Sequence, residues 1–340
     1  MTPFHPFKRS FFYSCLSSFI KGYSLIYLVF FASSAFSFDL QGHRGARGLE
    51  PENTLPAFEK ALAVGVTTLE LDVGVTADGV VVVGHDPALS ANITRDATGQ
   101  WLAVPAGGKG PLVKSLTLAQ LQSYDVGRIK PDTPYARQFP DQTPRDGTRM
   151  PTLAALFERV NALKADTVRF NIETKINPQQ PGDTVPPEAF VQALLQAINA
   201  ANMASRVTIQ SFDWRTLQLS QKLAPAIPTV YLSFQTATVD TLKDGVWTAG
   251  FQLTEHGNSV ARMVKAAGGA VWSPNGGALT QDLLKEAQTL GLKVIPWTVN
   301  SASDMQRFMD WGVDGLITDY PDLLREQMRM RKMVLPLAVP

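Results

Sequence analysis

The sequence predicts an α/β protein folded as a parallel (β/α)8 TIM barrel, with an insertion after the hairpin of the second strand. Three observations predict it. Short apolar, β-branched runs alternate with helical periodicity from residue 38 to about residue 330, giving eight strands, most of them followed by a helix. Setting aside residues 1–37 of the 340 leaves 303 residues, somewhat more than the typical barrel of about 250. The excess is gathered in one stretch, 87–150, where GQWLAVPAGGKGP and RQFPDQTPRDG break the rhythm with Gly, Pro and Asp.

Residues 1–37 read as a signal peptide. Lys8, Arg9 and Lys21 precede or flank the apolar run Leu25–Ala32, and Ala35-Phe36-Ser37 is a small-x-small cleavage site. Cleavage is expected after Ser37, the alternative being an uncleaved anchor. Cys15 is the only cysteine, so the exported chain has no disulfide and relies on its core, helped by a metal if it binds one. The chain is 45% hydrophobic and 18% charged, an ordinary globular composition. Three of its 31 basic residues and none of its 30 acidic ones lie in 1–37, so the remainder carries a formal charge of −2. That balance does not call for nucleic acid, none is expected as a partner, and it agrees with a small anionic substrate. A periplasmic or secreted location is expected, with no stable membrane insertion after cleavage; nothing in the sequence sets an oligomeric state.

A single domain is expected over 38–335. Its strands are Phe38–Gly42, Thr68–Val73, Val168–Thr174, Val207–Gln210, Thr229–Ser233, Ala270–Ser273, Lys293–Thr298 and Gly315–Thr318. Helices are expected at Thr54–Val64, capped by Asn53 and stopped by Gly65, and at Leu153–Leu163, Glu188–Ala200 and Trp214–Leu223. Others follow at Val260–Ala267, Thr280–Leu290, Ser303–Trp311 and from Pro321. The insertion holds one helix, Leu116–Ser123, and otherwise loop; it leaves from the His85 end and so is placed to cover a site there. Residues 235–258 and the tail after Arg331 show no pattern.

The chemistry is concentrated in residues 41–86. Asp78-Gly79 between β-branched runs signals a hairpin, and a two-residue loop there sets Asp72 opposite His85, a longer loop shifting this by a residue or so. Glu70 and Asp72 are two apart and share a strand face, so the hairpin delivers two carboxylates and an imidazole to one spot. His43 ends the first strand, followed by Arg44 and Arg47 among glycines, where backbone can approach a ligand and guanidinium forks match phosphate oxygens. On the third strand Asn171, Glu173 and Lys175 share a face, again at a C-terminal strand end, where barrel enzymes carry their sites. Glu70, Asp72 and Glu173 offer three oxygen donors, a set suited to Ca²⁺ or Mg²⁺ rather than zinc. The bland alternatives are water-facing acids, a structural histidine pair, and a surface ion pair of Arg44 with Glu50 or Glu52.

HRGARGLEPENT (43–54), ELDV-x-x-T-x-DG (70–79) and V-x-HDP (83–87) together resemble the glycerophosphodiester phosphodiesterase family, periplasmic type, in order and spacing. The resemblance implies the same barrel fold and hydrolysis of glycerophosphodiesters to glycerol 3-phosphate and an alcohol. It implies Glu70, Asp72 and Glu173 as ligands of one divalent cation, and His43 and His85 as general acid and base in either order. It also allows the substrate's own glycerol hydroxyl to act as nucleophile, giving a cyclic phosphate that water then opens. Arg44 is the candidate phosphate anchor, Lys175 a second one, and Trp297 matches a position that lines the family's pocket. Gln210, Ser211 and Phe212 resemble the family's S-F block. Asp314 and Asp319 match its closing block and read as structural; His256 reads as exposed. Two departures stand out: Ala77 where a turn lysine is common, and SANITRD after the HDP block. Two rival readings are a lipid phosphodiesterase of the lysophospholipase D kind, which needs an apolar rim in 87–150 or 235–258, and a non-catalytic periplasmic binder.

Overall fold

The computed structural model describes residues 38–339; the expected signal segment, Cys15 included, lies outside them. In chain order the strands are β1 (Asp39–Gly42), β2 (Thr68–Val75), β3 (Val81–Val83), β4 (Arg169–Thr174), β5 (Val207–Ser211), β6 (Thr229–Ser233), β7 (Val271–Pro274), β8 (Lys293–Val294) and β9 (Gly315–Thr318). All but β3 pair in parallel, in the order β8-β7-β6-β5-β4-β2-β1-β9, and β3 folds back antiparallel on β2. The two ends of this sheet meet beside β8 and β9. Asp314 N–H donates to Val294 O at 3.0 Å, Ile317 N–H to Pro296 O at 3.1 Å and Val299 N–H to Ile317 O at 2.9 Å, which nearly closes an eight-stranded barrel.

The helices are α1 (Leu55–Val64), α2 (Leu118–Leu121), α3 (Pro134–Gln138), α4 (Leu153–Ala162), α5 (Pro187–Ala200), α6 (Trp214–Leu223), α7 (Val260–Ala266), α8 (Gln281–Thr289), α9 (Ala302–Trp311) and α10 (Pro321–Met330). Among the described residues no helix is long and apolar enough to cross a membrane. The main core lies between strands and helices. Leu69, Leu71 and Val73 of β2, Phe170 and Ile172 of β4 and Ile209 of β5 belong to one cluster with Phe58 of α1, Phe157 of α4, Leu194 of α5 and Leu217 of α6. Burying each such side chain contributes about 1.5–3 kcal/mol.

The alternate residues of the same strands fill the barrel, and they divide it in two. Val230, Val271, Ile295 and Ile317 form a separate apolar cluster under Trp297 on the β6–β9 side. On the β1–β5 side the filling is polar: Asn171 donates to Gln41 at 3.0 Å and to Gln210 at 2.8 Å, and Gln210 donates to Glu70 at 2.6 Å. Buried amides of this kind are tolerated because each donor meets an acceptor. The polar half ends at the C-terminal mouth of the barrel in the carboxylates described below.

Several elements differ from the sequence expectation. The hairpin register is Val73↔Val83 and Val75↔Val81, one residue off the two-residue loop, so Gly84 rather than His85 lies across from Asp72. Thr76 is the cause: its Oγ1 accepts from Val80 N–H at 2.9 Å and donates to Asp78, building a wider turn. Thr54, not Asn53, caps α1. β8 stops at Val294 because Pro296 has no N–H to give, although Trp297 N–H still reaches Pro274 O at 3.1 Å. The insertion's expected helix shortens to α2, capped by Thr117 and Gln120, and α3 forms in the stretch expected to be loop. The insertion also has a small core of its own, Leu89, Val113 and Leu121 packed on Val82 of the hairpin.

Candidate active site

His43, Arg44 and Arg47 sit on the loop that follows β1. The loop is wound tightly against α1: Gly45 has φ +87°, and a Cβ there would lie 2.7 Å from the backbone of Ala57. This winding points Arg44 N–H at Glu70 Oε2, 2.8 Å away, and leaves His43 Nε2 3.9 Å from the same oxygen. Asp72 and Glu173 stand side by side in the β2–β4 register, with Lys175 Nζ 2.8 Å from Glu173 and 3.8 Å from Asp72. His43, His85, Arg44, Glu70, Glu173, Lys175, Gln210 and Trp297 all line one cavity of about 160 Å³ at the barrel mouth. Of the eight catalytic, metal and substrate-binding candidates, seven line this cavity together with Gln210, and Asp72 completes the acid cluster.

Glu70, Asp72 and Glu173 each present an oxygen within 4.8 Å of the others'. Burial raises the Glu70 carboxyl well above the usual range, and Asp72 and Glu173 add to it. Burial likewise pushes Glu173 up to about 7, with Asp72 adding and Lys175 opposing. Asp72 goes the other way: burial pushes it up, but His85, Lys175 and Arg44 outweigh that and hold it low. Three buried acids that the chain's own cations only partly neutralise, with oxygen donors alone, fit a hard divalent cation. Glu70 and Asp72 are oriented for this from behind, Glu70 by the Gln210 amide and Asp72 by the Asn53 amide at 2.9 Å. Asn53, with φ +55°, therefore reaches into the site instead of capping α1.

The two imidazoles are held alike. His43 Nδ1 lies 2.6 Å from Asp319 Oδ1, and His85 Nδ1 2.7 Å from Asp86 Oδ1. A carboxylate at Nδ1 takes the N–H there and leaves the Nε2 lone pair for the cavity. Burial drops His43 to about 4, with Arg47 adding to the fall and Asp319 resisting it. His85 is also lowered, by burial and then by Arg44 and Lys175. Asp319, read from the sequence as structural, is thus the partner of His43, and it also receives Arg47 at 2.7 and 3.0 Å and Asn300 at 2.7 Å. It stands directly after β9, at the same barrel end as the other acids, which is the signal that could have found it. Asp314 does remain structural, accepting from Val294 N–H at 2.8 Å.

Arg44 does pair with Glu52, at 2.7 Å, but the pair is buried and not at the surface, and its Nε faces Asp72 at 3.3 Å. Glu52 in turn accepts from Tyr135 of α3. The insertion reaches this loop at further points: Gln142 donates to Arg47 O at 2.8 Å, Thr143 N–H to Leu49 O at 2.8 Å, and Arg145 grips Glu50 at 2.6 and 2.7 Å. Trp297 donates its indole N–H to Ser273 O at 2.9 Å and meets Phe212 edge-on at 5.3 Å, forming an aromatic wall. His256 is half-buried and stacked on Phe251, away from the cavity.

The model of the glycerophosphoryl diester phosphodiesterase family matches residues 43–323. A glycerophosphodiester phosphodiesterase of Caldanaerobacter subterraneus subsp. tengcongensis is 30% identical over 287 residues, covering 84% of this chain and 96% of that protein. A crystal structure from Silicibacter pomeroyi, assigned as a glycerophosphoryl diester phosphodiesterase, superposes with a TM-score of 0.77 at 35% identity, over 87% of this chain and 95% of that one. An Oleispira antarctica phosphodiesterase, solved with its product sn-glycerol-3-phosphate, shares the fold with a TM-score of 0.61 at 20% identity, over 86% and 98% of the two chains. With the family's three motifs converging on one cavity and its model spanning the barrel, the chain belongs to the glycerophosphoryl diester phosphodiesterase family.

Proposed function

We propose that this chain hydrolyses glycerophosphodiesters to glycerol 3-phosphate and an alcohol, with His43 as general base, His85 as general acid and one divalent cation, Ca²⁺ or Mg²⁺, held by Glu70, Asp72 and Glu173. The carrying observation is that two imidazoles, each fixed at Nδ1 by its own aspartate, share a cavity with a buried acid cluster. Bound there, the cation supplies Lewis-acid neutralisation of the phosphate's charge. Arg44 and Lys175 are the protein's own cations at the same place and anchor the remaining anionic oxygens.

His43 is the better base. It is buried, neutral at working pH and bound to Asp319, which also stabilises the imidazolium that forms when Nε2 takes a proton. The nucleophilic oxygen, of water or of the substrate's neighbouring glycerol hydroxyl, loses that proton as its bond to phosphorus forms, the hydroxyl route giving a cyclic phosphate that a water then opens to glycerol 3-phosphate. The bond from phosphorus to the leaving oxygen breaks as that oxygen takes the Nε2 proton of His85, which enters the step as the imidazolium, its Nδ1–H held by Asp86 and its charge favoured by the anionic phosphate beside it. His85 is the more exposed ring, at 31% of its side chain, and stands toward the open side where an alcohol can depart. Asp319→Asn takes away the carboxylate that fixes the His43 tautomer. The expected result is a fall in kcat of about a hundredfold with KM little changed, since the loss is confined to proton transfer.

The test is glycerol 3-phosphate release from glycerophosphocholine, glycerophosphoethanolamine and glycerophosphoglycerol by the purified chain. Release is expected with Ca²⁺ or Mg²⁺ present, lost on chelation and restored by adding one of them back. Turnover of none of these diesters under any of the conditions sinks the reading.

A further inference from the structure

Beyond the catalytic cavity lies a second, larger chamber of about 490 Å³. The two are continuous: His85, Glu173, Lys175 and Phe212 line both. Its outer walls come from the two segments with no regular pattern in the sequence and from the β4–α5 loop. Pro87, Leu89 and Val104 belong to the insertion, and Trp247 to the stretch between β6 and α7; Ile176 and Phe212 complete an apolar lining. Phe212 and Trp247 meet edge-on with centroids 6.4 Å apart.

The charged groups on this chamber are already answered within the chain. Lys109 of the insertion reaches across to Asp183 and Gln180 of the β4–α5 loop. Asp86 is bound to the His85 ring, and Lys175 to Glu173. Each charge on the lining is thus already paired, although Asp86 and Lys109 keep about half of their side chains exposed, so a charged head group would have to compete with these pairs. The larger share of what remains on offer is apolar surface, with Ser90 and Asn177 as neutral polar groups beside it.

We infer that this chamber receives the leaving alcohol of the diester and favours one that is uncharged and largely apolar. The inference rests on the proposed function and deepens it. The narrow cavity, with His43, Arg44 and the acids, holds the phosphate and the glycerol arm. His85 stands on the boundary between the two spaces, where the bond to the leaving oxygen breaks. The opposite arm of the diester then has only the larger chamber to enter. Apolar contact there strengthens binding with each buried methylene, as transfer of hydrocarbon from water does.

The experiment measures kcat/KM for glycerophosphoethanol, glycerophosphobutanol and glycerophosphohexanol, with glycerophosphocholine as the cationic comparison. A rise of about two- to fourfold per methylene is expected, with hexanol preferred over choline. Choline is the more acidic alcohol and leaves more readily, so a preference for hexanol has to come from binding. Trp247→Ala and Val104→Asp are each expected to lower the hexanol substrate at least tenfold more than the ethanol one. A flat series, or choline ahead of hexanol, overturns the inference while leaving the phosphodiesterase reading intact; failure to cleave any of the four strikes that reading instead. Lysophosphatidylcholine supplies the last arm. Faster choline release from it than from glycerophosphocholine places the apolar group on the glycerol side of the phosphorus and also overturns the inference.

Discussion

Replacing His43 with alanine is expected to lower kcat on glycerophosphocholine by about 10²–10⁴-fold, the range a positioned proton-transfer group contributes. The expectation depends on the state of the ring. Burial, with Arg47 beside it, holds its pKa near 4, so the imidazole is unprotonated across the neutral range and ready to accept. Asp319 fixes which nitrogen does so. The substitution does not strand that carboxylate, since Arg47 and Asn300 still bind it, so the fold is expected to survive. Circular dichroism and Tm check that point independently of rate. A variant that keeps kcat within tenfold of the parent, with an unchanged melting curve, removes His43 from the proton path.

The second large effect is the loss of cation binding in Glu70→Ala. In the parent chain three buried acids crowd one point, and two of them are pushed up toward protonation. Binding of the proposed divalent cation would relieve this and would stabilise only the folded chain. At a hundred times Kd the gain is about 2.7 kcal/mol. For a chain of this size that is a rise in Tm of roughly 5 °C. Glu70→Ala removes one of the three donors and leaves Arg44 N–H and the Gln210 amide without their acceptor. Both the thermal shift and the activity are then expected to disappear at the same cation concentration. A full shift retained in the variant means that the cation binds elsewhere.

These residues were legible from the sequence for a local reason. Glu70 with Asp72, and Glu173 with Lys175, are pairs two apart on strands, so a single rule of alternation orients each pair. His43 and His85 adjoin strands as well. The parts that escaped depend on contacts that no local pattern encodes. The bond from His43 to Asp319 spans 276 positions and exists because β1 and β9 lie side by side in the barrel. Asn53 and Thr54 are both good helix caps, so the local signal could not choose between them; the bond from Asn53 to Asp72 decided it. The hairpin register turned on one threonine hydroxyl, since the valines alone accept either pairing. Helix α3 is five residues long with none buried, and its placement against the catalytic loop comes from Tyr135 and its neighbours, not from periodicity.

The hold that residues 135–145 keep on the loop after β1 makes the insertion more than a decoration that could be pruned. A bare barrel would retain eight strands and all three acids. It would return Glu50, Glu52 and two loop carbonyls to bulk water, which solvates them equally well in many geometries. Arg44 would keep Glu70 and Asp72 on one side but lose the fixed Glu52 that braces its guanidinium on the other. Attempts to shrink this catalyst to a minimal scaffold should therefore spare the far half of the excursion and cut elsewhere.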